Sequence, residues 1–183
     1  MHAGLITSPA RGMLSDELES LFGQVPYPGD KALADSYPNE WDSTIEQLHG
    51  KDWRTVGVLA FDSQGGIVEG IQALSAIGFI YFLPGLVRIA LAQPEDRYLI
   101  VSALLTRFTH LDRPQSSCRK QQEIIERLSS DQRNFLSPFF AEMQTREPLI
   151  CSVLIGSARR NLAEGKLTPY TQNQIDQWMS QIH

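Results

Sequence analysis

The groups of this chain that can act as bases, nucleophiles or metal ligands are spaced too widely to form a recognisable centre. Of the four histidines only His49 and His110 are internal. Neither belongs to a His-Glu-x-x-His pattern, which would put two imidazoles and a carboxylate on one helix face around zinc. Cys118 and Cys151 lack a second cysteine or histidine at the short spacing of a structural zinc site, so both read as ordinary thiols. A disulfide between them would need an oxidising compartment that nothing else in the sequence suggests. Gly65-Gly66 lacks the lysine and hydroxyl of a phosphate-binding loop, and no Gly-x-Ser-x-Gly elbow occurs. The acids of 16–19 and the pair Glu95-Asp96 fall where first-turn carboxylates complement a helix dipole. No catalytic residue, metal ligand or cofactor is assigned.

What remains is a polar and aromatic set: Tyr27 and Asp30 in a proline-rich turn, then Lys51, Asp52, Trp53 and Arg54 in a later connection. Loops carry function disproportionately, and a tryptophan between charges of both signs can anchor a partner surface. The plainer reading is that Trp53 plugs the end of the core while Lys51 and Arg54 extend to water. A second cluster, Arg159-Arg160 with Lys166 and Arg146, reads first as cations near helix carbonyl ends and second as an anion site.

The elements that must position these residues follow from composition and pattern. With 183 residues, 42% of them hydrophobic, the chain suits one globular domain. A formal charge of -5 argues against a nucleic-acid partner, which needs a concentrated basic face, and favours basic or neutral ones. The stretch 70–87 holds no charged residue and is just long enough to be weighed as a membrane span. Gln72, Ser75, two internal glycines and Pro84 interrupt it, so it reads as buried helix in a protein without membrane attachment. Residues 1–13 are small, polar and glycine-punctuated, unlike a cleaved leader, and suggest a flexible segment. The default location is the cytoplasm.

Helix signals recur along the chain, and the predicted fold class is all-α, an irregular multi-helix bundle. Ser15 with Leu18, Leu21 and Phe22 predicts a helix over 16–24 that ends before Pro26. Pro38, Trp41, Ile45, Leu48 and Gly50 predict a second helix. Val56, Val58, Leu59 and Phe61 before 62–66 suggest one short β-hairpin near 55–68. Three helices should follow, one to about Leu74, one over 76–83 capped by Ser75, and one opened by Pro84 and closed before Pro94. Residues 95–109 should form an almost wholly buried helix. Next come a charged helix over 119–128, one capped by Ser130 and kinked at Pro138, one over 149–164 stopped by Gly165, and a last one opened by Thr168-Pro169. That last helix would place Tyr170, Ile175, Trp178, Met179 and Ile182 inward.

Four segments in order, Val25-Pro26-Tyr27-Pro28-Gly29-Asp30, Gly50-Lys51-Asp52-Trp53, Tyr81-Phe82-Leu83-Pro84 and Leu128-Ser129-Ser130-Asp131-Gln132-Arg133, resemble an uncharacterised family of small bacterial domains. The resemblance covers 16–143, while 55–66 and 78–80 depart from the family's usual run. Residues 144–183 read as a helical extension within one domain. The resemblance implies a small bacterial cytoplasmic protein and carries no activity, cofactor or catalytic residue.

The function expected is therefore a non-catalytic, protein-binding module, most concretely an immunity protein whose acidic surface neutralises a basic toxin. One alternative is an enzyme or small-ligand binder with a pocket between helices near Trp53 and Tyr81, lined by Asp30, Asp52 or His49. Another is a homo-oligomeric structural protein that pairs through Trp178 and Met179.

Overall fold

Pro84 does not break the most apolar stretch of the chain. A computed structural model of the protein describes residues 9–35, 42–62, 65–109 and 115–171, with Asn173 and Asp176. Its helices are α1 (Pro9–Phe22), α2 (Asp42–Leu48), α3 (Ile67–Ala73), α4 (Ala76–Ala92), α5 (Pro94–Phe108), α6 (Gln115–Arg127), α7 (Ser130–Arg146) and α8 (Ser152–Glu164). The two helices expected on either side of Pro84 are thus one, with the proline inside α4. An interior proline costs about 3 kcal/mol through its missing N–H and its clash with the preceding turn. Against that, Phe79, Phe82, Leu83, Leu86 and Val87 are fully buried, each worth about 1.5–3 kcal/mol. Packing outweighs the local rule.

α4 is hydrophobic on every side, as a central helix must be, and the other elements are laid around it. Ser75 starts it: its hydroxyl accepts from the N–H of Gly78 at 3.0 Å and donates to the carbonyl of Ala32 at 2.6 Å. Two glycines one heptad apart, hence on one face, let connecting segments touch its backbone. A Cβ on Gly78 would stand 2.5 Å from the carbonyl oxygen of Leu33, and one on Gly85 2.6 Å from that of Trp53. α5 packs against α4, α6 packs against both, and α8 packs against α7 and α5. Ile155, Ala158 and Leu162 of α8 belong to the same core as Phe108 and Phe140.

The fold class is all-α as expected; no strand occurs among the described residues, whose single β-type contact is the isolated antiparallel bridge of Ala34 and Leu74. The hairpin suggested near 55–68 is therefore a correction. Val58–Phe61 is a 3-10 turn and Ile67–Ala73 is helical. A strand needs a ladder partner and alternating burial. Here Leu59 is 74% exposed between buried Val56 and Phe61, the N–H of Val56 goes to the carbonyl of Asp52, and its own carbonyl takes Arg88. Phe61 meets Phe82 edge-on at 5.7 Å.

Smaller corrections share that origin in tertiary context. α1 begins at Pro9, before the expected start, and Ser129 rather than Ser130 caps α7, in a reciprocal box with Gln132. α5 is less buried than expected: Tyr98 and Leu99 are 44% and 39% exposed. Pro38, Trp41 and, apart from Asn173 and Asp176, the residues beyond Thr171, including Trp178 and Met179, lie outside the described residues. No helix among them is long and apolar enough to cross a membrane.

Candidate functional site

The sequence-predicted residues come together at one corner beside α4. The 25–30 turn carries Tyr27 over the ring of Tyr81, centroids 5.2 Å apart and edge-on. The hydroxyl of Tyr27 donates to Oδ1 of Asp30. The backbone N–H of Gly50 donates to both, at 2.8 Å to Tyr27 and 3.1 Å to Asp30. Gly50 has φ 63°, the left-handed value that lets the chain leave α2 and aim that N–H. The hydroxyl of Tyr81 donates to the carbonyl of Lys51 at 3.3 Å. The hydrogen bond from Tyr27 holds the Asp30 carboxyl below the usual carboxylate range, while burial and Asp30 push the Tyr27 phenol up.

Arg54 closes the corner from the other side. Its Nε donates to Oε2 of Glu19 at 2.7 Å and its Nη2 to Oε1 at 2.5 Å, a two-bond clamp onto α1. Nη1 and the backbone N–H also reach Oδ1 of Asp52, at 3.2 and 2.8 Å. These contacts pull the Glu19 carboxyl down and raise the Arg54 guanidinium. The guanidinium lies 4.7 Å from the ring centroid of Trp53. That indole is 3% exposed and fills the end of the core, so it presents no anchor to a partner. Asp30, Lys51, Asp52, Arg54 and His49 are exposed. The polar groups of this corner are largely spent on one another.

The basic cluster is dispersed. Arg146 pairs with Glu142 one turn away, Lys166 lies 3.8 Å from Glu164, and Arg159 donates to Ser137. Cys118, which is buried, and Cys151 are not joined in a disulfide. Among the described residues no group of three histidine, cysteine, aspartate or glutamate side chains is placed to hold a metal ion.

Two features escaped the sequence. Arg107 on α5 is 1% exposed, and its Nη2 donates to the carbonyls of Ile71, Gln72 and Leu74 at 2.7, 2.6 and 2.9 Å, capping α3. Its guanidinium lies over the ring of Phe79 at 5.2 Å. Burial lowers it to about 10, so it stays charged at neutral pH, with Asp35 opposing the shift. Lys120 adds a second cation at the same helix end, donating to the Leu74 carbonyl and pairing with Asp35.

The other feature is an open groove of about 480 Å³ between α1 and α7, floored by the end of α4. Leu21, Leu91, Phe135, Pro138 and Phe139 make it apolar, and Glu17, Asp131 and Glu142 rim it, with Asn134 beside them. Among the described residues no lysine or arginine lines it. The Nε2 amide of Gln132 donates to the carbonyl of Leu21 at 2.8 Å and ties the two walls together. Its signal in the sequence is the spacing of Asp131, Asn134, Phe135, Pro138 and Glu142 on one face of α7. The ring of Phe135 in that stripe is only partly buried.

Comparison with protein-family models, with curated proteins and with solved structures gives no match to this chain. Fold and site together define a helical bundle with one acid-rimmed apolar groove and an internally braced corner.

Proposed function

We propose that this chain is a non-catalytic protein-binding module that takes a basic partner, in its most concrete form a bacterial cytoplasmic immunity protein that covers the active site of a basic toxin. The observation that carries the reading is the groove: an apolar floor, three carboxylates and, among the described residues, no lining cation. A surface of this kind gives affinity through its floor and selection of partner and on-rate through its rim, and the net charge of -5 steers in the same sense. The corner around Tyr27, Asp30 and Arg54 is its scaffold, since it ties α1 and two loops to α4.

Gentle, low-salt purification of the tagged chain from its native host tests this. A basic protein recovered in stoichiometric amount, and released by salt, is the expected result. A chain that elutes alone, or with an acidic partner, contradicts it.

A further inference from the structure

Resting on that reading, we infer that the element seated in the α1–α7 groove is a basic amphipathic α-helix of the partner, its apolar stripe on the floor and its lysines or arginines on the rim. The groove is walled by helices, and no sheet edge is available among the described residues to receive an extended strand. From Asp131 to Glu142 the wall runs about 16 Å, three helical turns, the length over which i, i+3/4 and i+7 anchors repeat. A cavity of about 480 Å³ takes the side chains of one helix face and is too small for a whole folded element.

Charge fixes the sign of the guest. Glu17 and Asp131 are exposed and make no ion pair among the described residues. Glu142 is held by Arg146 one turn further along, so the end of the groove nearest that pair is partly neutralised. Asp131 also lies in the first turn of α7. The guest's cations therefore belong opposite Glu17 and Asp131, the two rim carboxylates without an ion pair among the described residues. An acidic or neutral helix would bury its stripe against the same floor while facing two uncompensated carboxylates.

The test uses the full chain and three labelled peptides of equal length, read by fluorescence anisotropy. One is a leucine/lysine helix with helical spacing, one its scrambled sequence, and one a leucine/glutamate helix. The leucine/lysine helix should bind, more weakly in high salt, and the other two should not. The double variant E17Q/D131Q should weaken it about tenfold, whereas E123Q/E126Q on α6 should leave it unchanged. Equal binding of the scrambled peptide, no binding of any peptide, or equal loss in both variants overturns the inference. If a basic partner co-purifies yet the helix neither binds nor displaces it, the helical guest is wrong while the binding module stands. If the helix binds but no partner is recovered from the host, the groove chemistry stands and the proposed function falls.

Discussion

Arg107 donates to the carbonyl oxygen of Leu74 at 2.9 Å, so a side chain from α5 finishes α3 in the interior of the protein. The same nitrogen serves Ile71 and Gln72, so one cation meets three carbonyls at the end of a seven-residue helix, where the Leu74 N–H also reaches Ile71 and Lys120 also reaches Leu74. Arg107→Leu should therefore destabilise by about 3 kcal/mol, because buried carbonyls lose a charged donor. Thermal unfolding would show it as a fall in Tm of about 10 °C. An unchanged Tm would mean that the carbonyls find other partners.

The two close approaches on α4 make opposite predictions from an open glycine elsewhere. Gly78→Ala would drive a Cβ to 2.5 Å from the Leu33 oxygen, which is backbone, and should cost about 1–3 kcal/mol. Gly156→Ala in α8 meets nothing within 4 Å and should stabilise by about 0.5–1 kcal/mol. Urea midpoints of the two variants, shifted in opposite directions, check both.

Ser129→Ala should cost about 1 kcal/mol, since it removes one half of the capping box with Gln132. Ser130→Ala should fall within about 0.5 kcal/mol of the parent, because Ser130 is exposed and already within the helix. Chemical denaturation of the pair separates the observed cap from the one expected by sequence.

The braced corner sets a pH dependence. Asp30 and Glu19 are both held below the ordinary carboxylate range, by Tyr27 and Arg54 respectively. A lowered folded value means that the unfolded chain binds protons first on acidification. Their contribution is complete above about pH 5 and is lost as pH falls through the carboxylate range and below it. Tyr27 and Tyr81 are raised, chiefly by burial, so their contribution is present below about pH 10 and is lost above it. Asp30→Asn should flatten the acid limb of a stability-versus-pH curve and, because Asp30 also helps raise Tyr27, soften the alkaline limb in part, leaving the share due to burial.

Much of the helical plan was legible because capping residues and apolar spacing act locally: Ser75, Gly165 and the apolar spacing of α6 each stand where pattern places them. What was not legible came from contacts distant in sequence. Pro84 obeys the packing of α4 rather than its own preference, and 58–61 curls because Phe61 must reach Phe82 and no ladder partner is at hand. The six candidate residues lie at one corner, and their types did not reveal that Gly50 bonds Tyr27 and Asp30, that Glu19 clamps Arg54 or that Tyr81 packs against Tyr27. The motifs 25–30, 50–53 and 81–84 meet here, which gives their residue types a structural reason. The groove joins α1, α4 and α7, three elements far apart along the chain, and no local pattern announces such a juxtaposition.

The central claim, that a basic partner docks in the α1–α7 groove, is tested most directly by a photo-crosslinking amino acid placed at Asn134, which lines the groove, and separately at exposed Leu59, which does not. In the native host the account predicts an adduct with one basic protein from position 134, abolished by Glu17→Lys, and none from position 59. The same partner captured from position 59 but not 134, or an adduct indifferent to Glu17→Lys, would contradict it.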